Sequence, residues 1–302
     1  MSLLIFGHKN PDTDSICSSI SLSYLKNQLG VEAKPYALGE VRKEAKFVLD
    51  YFKVDAPEIL TGSIKGLDVA LVDHNEYAQS HDELKEANLI EIVDHHKIGG
   101  ITTDVPISFR VMPVGCSCTV IYNMFKENNI EIPYNIAGLL LSAILSDTLL
   151  FKSPTTTQKD IDACKALNEI VNVDMESYAM EMFKAGTSLD EFSIEEIVNM
   201  DFKEFDMSGK RVGIGQVFTL DIDSVLSKKD EFLSYINSTD YDMLVLAVTD
   251  IIKEGSYLIY KSEDNIISKA FNVDARQGVF AEGVVSRKKQ LVPNLTEAIK
   301  NI

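Results

Sequence analysis

Short apolar runs alternate with helical patterns through the first half of the chain. The apolar runs predict strands near residues 3–6, 33–38, 67–72 and 89–93. Apolar residues at helical spacing predict helices near 15–29, 41–52, 117–128, 134–146, 158–170 and 174–183. Because the strand segments are almost continuously apolar, they fit a parallel sheet covered by helices on both faces.

The pattern changes near Gly186, where we predict a domain boundary. Gly186 can end a helix, and Ser188 with Glu191 resembles a capping box that starts the next one. The segment beyond predicts a helix near 222–236 and strands near 201–206, 211–219, 242–250, 256–261 and 279–285. We therefore predict an α/β domain over 1–186, a hinge at 187–190, and a smaller α+β mixed-sheet domain over 191–302.

Composition narrows the classes of protein that fit. The chain has 302 residues, of which 45% are hydrophobic and 25% charged. It contains no apolar run of the roughly 18 to 20 residues that a membrane span needs. The apolar start is interrupted at His8 and Lys9, too early for a signal peptide, so we expect a cytoplasmic protein. The net charge of −17 argues against nucleic-acid binding, and an anionic substrate would need bound cations and a local cluster of bases.

The four cysteines lack zinc-finger spacing and the density of a disulfide scaffold. Cys116 and Cys118 have two interpretations. They are either small buried residues opening a helix or a lone redox or metal-binding pair.

Acidic residues and histidines gather at the ends of four apolar segments. They are His8, Asp12 and Asp14 in GHKNPDTDS, Asp73 in VDHNE, Asp94-His95-His96 in VDHHK, and Asp147 in LSDT. Any one of these aspartates alone would be read as an N-cap or turn residue. An acid that ends a buried segment is costly unless it is paired, and a divalent metal is one such partner. Oxygen and nitrogen ligands without a placed thiolate favour manganese, cobalt, iron or magnesium over structural zinc.

These motifs resemble the DHH phosphoesterase superfamily, named for the triplet present here as Asp94-His95-His96. Within it, five motifs resemble those of the manganese-dependent, family II inorganic pyrophosphatases. They are GHKNPDTDS, VDHNE, VDHHK, LSDTLLFKSPTT and SRKKQ. The resemblance covers nearly the whole chain. It implies an enzyme, an inorganic diphosphatase, that hydrolyses Mg-pyrophosphate to two phosphates and works as a homodimer.

The resemblance also implies a division of roles among the site residues. His8, Asp12, Asp73 and Asp147 would surround one Mn²⁺, and Asp14, Asp73, His95 and Asp147 the other, with Co²⁺ able to substitute. Asp14 and His96 are the expected catalytic groups, with His96 facing the substrate and assisting the leaving phosphate. A hydroxide activated by the two metals would attack phosphorus, and closure of the domains near Gly186 would exclude water.

The phosphates would be bound by Lys203, Arg287 and Lys288 of the second domain, together with His96. Arg287-Lys288-Lys289 is the only run of three consecutive bases in this acidic chain, although a run of bases is commonly a solvated loop. Lys203 also fits an ordinary solvent-facing strand lysine.

Two other functions remain open at this point. A DHH phosphodiesterase acting on short oligonucleotides or adenosine bisphosphate would use the same metal ligands. Such relatives usually carry a glycine-rich, histidine-containing C-terminal motif, where this chain has SRKKQ. A non-catalytic metal-and-phosphate sensor is the more distant alternative, and it predicts binding without phosphate release.

Overall fold

The computed structural model describes residues 2–250 and 252–300 and divides the chain into two compact units, 1–186 and 187–302. The first unit contains a six-stranded sheet in the order β3-β2-β1-β4-β5-β6, in which every pairing is parallel. Its strands are β1 (Leu3–Lys9), β2 (Ala33–Leu38), β3 (Glu58–Ile59), β4 (Asp68–Val72), β5 (Asn88–Asp94) and β6 (Ser108–Val111). The parallel sheet predicted from the apolar runs is confirmed.

Six helices accompany this sheet. They are α1 (Thr13–Gln28), α2 (Lys43–Phe52), α3 (Ser117–Glu127), α4 (Tyr134–Asp147), α5 (Gln158–Val171) and α6 (Met175–Thr187). Helix α1 is buried along most of its length, including the polar residues Thr13, Asp14 and Ser15 at its start. Because buried polar groups need hydrogen-bond partners, these three residues indicate that buried polar contacts of this unit gather at the start of α1.

The second unit contains a five-stranded mixed sheet in the order β11-β10-β9-β8-β7, with β8 and β9 parallel and the other pairs antiparallel. Its strands are β7 (Phe202–Met207), β8 (Lys210–Phe218), β9 (Met243–Asp250), β10 (Gly255–Lys261) and β11 (Val279–Glu282). Its helices are α7 (Ile194–Asn199), α8 (Ile222–Ser227), α9 (Lys229–Ser238), α10 (Asp264–Phe271) and α11 (Val292–Lys300), and a turn of π-helix covers Arg287–Leu291. Alternate residues of β9 enter two separate apolar cores, one on each face of the sheet. The predicted α+β mixed-sheet domain is confirmed.

The capping box predicted at Ser188 and Glu191 is wrong. The reciprocal pair of hydrogen bonds is made five residues later, by Ser193 and Glu196, at the start of α7. Both sites carry the same S-x-x-E pattern, but the second is followed by Ile197 and Val198, whose burial gives the helix an apolar face to pack. The hinge at 187–190 stays a prediction.

Candidate metal centre and anion pocket

The candidate metal ligands lie where the strand order of the first sheet reverses. Strand β1 pairs with β2 on one side and β4 on the other. His8 lies near the end of β1, Asp73 directly follows β4, and His95 directly follows β5. The carboxyl ends of parallel strands at such a switch point are where open α/β sheets bind ligands.

Both histidines present the same ring nitrogen to the site. The Nδ1 atom of His8 lies 2.8 Å from the Lys9 carbonyl oxygen, and that of His95 lies 3.1 Å from the Val114 carbonyl oxygen. A carbonyl can only accept, so Nδ1 carries the proton in each ring and Nε2 is left with a lone pair in the neutral form. The Nε2 atoms lie 3.3 and 3.4 Å from the two carboxylate oxygens of Asp73. This is the usual arrangement of histidines that bind metals.

Asp73 lies at the centre of the cluster. Its backbone is left-handed, with a φ of 59°, and its carboxylate also accepts a hydrogen bond of 2.8 Å from the Ser15 hydroxyl. Burial alone would raise its pKa, but the hydrogen bonds from His8 and His95 hold the pKa well below the usual range. Burial would lower the pKa of each imidazole, yet the carboxylates raise it to about 11 for His8 and about 9 for His95. In the metal-free chain the imidazoles therefore act as the cations of the cluster.

The pKa values of Asp14 and Asp147 are shifted in the opposite direction, upward. Burial, with the charge of Asp73 added, raises the pKa of Asp14 to about 6. Burial and the charge of Asp14 raise the pKa of Asp147 well above the usual range. The backbone amides of Ser117 and Cys118 at the start of α3 donate hydrogen bonds to the Asp14 carboxylate, at 2.7 and 3.1 Å. These carboxylates need more positive charge than the metal-free cluster provides.

Asp12 uses its two carboxylate oxygens for two different contacts. One carboxylate oxygen accepts a hydrogen bond from the Ser15 backbone N–H and caps α1. The other lies 3.4 Å from the Nε2 atom of His8. Capping and ligation, the two interpretations of an aspartate at a helix start, are therefore compatible here.

The chain brings potential ligand atoms together in overlapping groups of three, each within 4.8 Å. The groups are His8, Asp12 and Asp73; Asp14, His95 and Asp147; Asp73, His95 and His96; and Asp14, Cys116 and Cys118. Burial raises the pKa of Cys116 well above the usual range and that of Cys118 to about 12, so the thiols stay protonated and are poor ligands. The first two groups combine imidazole with carboxylate and fit a manganese-type cation.

Asp94 fixes the orientation of His96. The Nδ1 atom of His96 lies 2.9 Å from the fully buried Asp94 carboxylate, which also accepts a hydrogen bond from Asn75. This hydrogen bond raises the pKa of His96. Since Nδ1 is occupied by Asp94, the other ring nitrogen is the one available to a bound molecule.

The second unit contains a surface cavity of about 510 Å³ lined by the three predicted bases, Lys203, Arg287 and Lys288. The guanidinium of Arg287 is 11% exposed and donates to Asp201, with 2.7 Å between Nη2 and a carboxylate oxygen. The buried Gln216 accepts from the Arg287 backbone N–H at 3.1 Å. Arg287 is therefore held in one orientation beside a cavity that Lys203 and Lys288 also line.

Comparisons with known proteins identify the family of this chain. Family models match the DHH family N-terminal domain over residues 2–144 and the DHHA2 domain over residues 180–298. A Staphylococcus epidermidis protein named "Probable manganese-dependent inorganic pyrophosphatase" is 50% identical over 98% of both chains. The chain belongs to the manganese-dependent, family II inorganic pyrophosphatases. A Clostridium acetobutylicum protein of the same name is 48% identical over 99% of this chain and 98% of its own.

A solved structure gives the same result for the fold. A Methanococcus jannaschii protein assigned to the family II inorganic pyrophosphatases is 44% identical, covers 99% of each chain, and superimposes with a TM-score of 0.62. In the part of the chain that the structure describes, no helix is both long enough and apolar enough to cross a membrane.

The structure brings the six predicted metal ligands together in the first unit and the three predicted bases together in the second. The sequence analysis placed Asp94 among the acids that end apolar segments but did not link it to His96, and it gave no role to Asp201 or Ser15. Only Asp94 had a visible signal, because it is the first residue of the DHH triplet.

Proposed function

We propose that this chain is an inorganic pyrophosphatase that hydrolyses Mg-pyrophosphate to two phosphates. The observation that carries the proposal is the clustering of His8, Asp12, Asp14, Asp73, His95 and Asp147, in a chain about half identical to relatives named for that activity. The phosphodiesterase and sensor alternatives have no comparable support.

Two Mn²⁺ ions are proposed as the cofactors, with Co²⁺ able to substitute. His8, Asp12, Asp73 and Asp147 would hold one ion, and Asp14, Asp73, His95 and Asp147 the other. When bound, such ions lower the pKa of water and offset charge on the attacked phosphoryl group. The carboxylates would no longer depend on protonated imidazoles for neutralisation, and both imidazoles would bind in the neutral form.

His96 is proposed to act on the leaving phosphate. Asp14 is proposed to contribute to catalysis as a ligand of Mn²⁺. Asp94 accepts the Nδ1 proton of His96 and favours the imidazolium form. Nε2–H is then a donor that can stabilise charge on the departing oxygen or protonate it.

Lys203, Arg287 and Lys288 are proposed to bind the substrate phosphates. Arg287 has N–H groups beyond the two that contact Asp201, and a fixed guanidinium favours two-point binding of a phosphate. The exposed Lys203 and Lys288 add positive charge at the same cavity. These bases would offset the repulsion between an anionic substrate and a chain of charge −17.

We further propose that the protein is a homodimer in the cytoplasm. The resemblance to the family supports the dimer, and four buried free cysteines fit a reducing compartment. Sedimentation velocity and cell fractionation test these two proposals.

The decisive experiment is phosphate release by metal-stripped protein that has been resupplied with Mn²⁺, Co²⁺, Zn²⁺ or Mg²⁺. We expect pyrophosphate turnover with Mn²⁺ and Co²⁺. A dinucleotide assayed in parallel with Mn²⁺ should not be cleaved. Preferred cleavage of the dinucleotide would favour the phosphodiesterase, and pyrophosphate binding without release would favour the sensor.

A further inference from the structure

Helix α2 contributes a carboxylate that contacts two of the segments carrying the proposed metal ligands. The Oε1 atom of Glu44 accepts a hydrogen bond of 2.6 Å from the Thr13 hydroxyl and one of 2.5 Å from the Ser146 hydroxyl. Thr13 is buried at the start of α1, and Ser146 lies in the last turn of α4. One oxygen atom therefore links two helix ends that are more than 100 residues apart in sequence.

Both hydroxyls lie next to proposed ligands. Thr13 is flanked by Asp12 and Asp14, and Ser146 directly precedes Asp147. Glu44 itself belongs to none of the clustered groups of potential ligands found in the described residues. The carboxylate thus acts on the backbone that carries the ligands, and it leaves the ligand atoms themselves to the metal.

The side chain of Glu44 is also confined by its surroundings. A Cβ atom added to Gly186 in α6 would lie 2.9 Å from the Glu44 Cβ and 3.0 Å from its Oε2. Helix α6 is itself fixed, because the Tyr178 hydroxyl lies 2.6 Å from that of Ser142 in α4. Glu44 therefore has little freedom to move away from the two hydroxyls while α6 is in place.

We propose that Glu44 is a positioning residue for the metal centre and sets the spacing between the start of α1 and the end of α4. The inference rests on the proposed assignment of Asp14 and Asp147 as ligands. Removing the shared acceptor frees both helix ends and leaves the ligand chemistry unchanged. Substitutions in the layer behind metal ligands typically weaken metal binding by roughly 10- to 100-fold.

The competing explanation is that Glu44 only stabilises the first turn of α2, where acidic residues are favoured. The two explanations differ for the Glu44→Gln variant. Glutamine keeps an oxygen acceptor for both hydroxyls but loses the negative charge. A positioning role therefore predicts rescue by glutamine, and a helix-end charge role predicts none.

The test measures the Mn²⁺ dissociation constant of the metal-stripped full chain by calorimetric titration, with circular dichroism of the metal-free protein as a check on folding. We expect Glu44→Ala to raise the dissociation constant about 10-fold and Glu44→Gln to stay within about threefold of the unaltered chain. Glu40→Ala, an exposed acid just before the same helix, is the matched control and should change nothing.

A double-mutant cycle sharpens the result. Ser146→Ala should weaken Mn²⁺ binding in the unaltered chain and add little in the Glu44→Ala background, since both remove the same contact. Unchanged Mn²⁺ binding in Glu44→Ala, or equal loss in Glu44→Gln and Glu44→Ala, would overturn the inference. Asp147→Asn separates this failure from that of the ligand assignment, because full Mn²⁺ affinity in that variant would refute the ligands themselves.

Discussion

The two units place their charged side chains in contrasting environments. In the first, Asp14 and Asp73 are at most 2% exposed, and their charges are balanced by imidazoles and helix-end amides. In the second, Lys203 and Lys288 are exposed at the rim of an open cavity, where water already screens them. Charge interactions are strong in the first environment and weak in the second. Changes to the metal centre should therefore affect folding and chemistry together, and changes to the anion pocket should affect substrate binding alone.

Asp73→Asn should produce the largest effect. It removes one of the two oxygens that face His8 and His95, and the uncompensated buried charge costs about 3–5 kcal/mol. We expect Mn²⁺ retention after dialysis and the rate of phosphate release each to fall by roughly 1,000-fold. Asp82→Asn, an exposed acid paired with Lys9, is the control. Normal metal content in Asp73→Asn would contradict its central position.

Metal removal should distinguish the two units. A ligand at 100 times its dissociation constant stabilises the state that binds it by about 2.7 kcal/mol. Chelation should therefore speed amide hydrogen exchange in β1, β4 and α1, while β8 and β9 keep their protection. Equal loss of protection in both units would show that the metal stabilises the chain as a whole.

Arg287→Ala should raise KM by roughly 10- to 100-fold, because a charged hydrogen bond to phosphate is worth about 1.5–3 kcal/mol. Mn²⁺ affinity should stay unchanged, since Arg287 belongs to the second unit. Lys289→Ala, at the exposed neighbouring base, is the control. If Arg287→Ala instead lost its Mn²⁺, the division of roles between the units would be wrong.

The metal-free chain should lose stability as pH rises. Protonated His95 is favoured in the folded state, where its pKa is about 9 against 6.5 in the unfolded chain. That contribution is complete below pH 6.5 and is lost through pH 9, at a cost of about 3 kcal/mol. Asp14, raised to about 6 from 3.8, loses its own contribution between about pH 4 and pH 6. Thermal unfolding should therefore show a lower Tm at pH 9 than at pH 7. Saturating Mn²⁺ should remove most of this dependence, because bound imidazoles are already neutral.

Substitution of Asp201 should have the smallest effect on KM, because Asp201 acts only by orienting Arg287. Asp201→Ala should raise KM by about 3- to 10-fold, because it removes a hydrogen bond worth about 1 kcal/mol. Asp201→Asn keeps an acceptor and should bind substrate at least as well as the unaltered chain. In the Arg287→Ala background neither change should matter, and a persistent effect there would assign Asp201 a separate role.

The periodic parts of the fold could be predicted from sequence, and so could the ligands that end them. The apolar runs before His8, Asp73 and Asp94 identified strands, and parallel strands bring their carboxyl ends to one edge. The short edge strands β3 and β6 and the helices α10 and α11 were missed. A strand of two residues, such as Glu58–Ile59, offers too few positions for a period to be visible.

The supporting contacts could not be predicted, for a different reason. The Ser15–Asp73 hydrogen bond joins residues 58 positions apart, and the contact from Arg287 to Asp201 joins residues 86 apart. Local propensity and hydrophobic pattern carry no information on such pairs. The misplaced capping box shows the same limit at short range. Ser188 and Ser193 begin the same S-x-x-E pattern, and the burial of Ile197 and Val198 after the second is visible only in the structure.

The amides at the start of α3 give Asp14 two partners from the protein itself. Ser117 and Cys118 already supply Asp14 with N–H donors, and a helix start carries partial positive charge. These donors belong to the backbone of the chain, so this part of the support for Asp14 does not depend on which cation is bound.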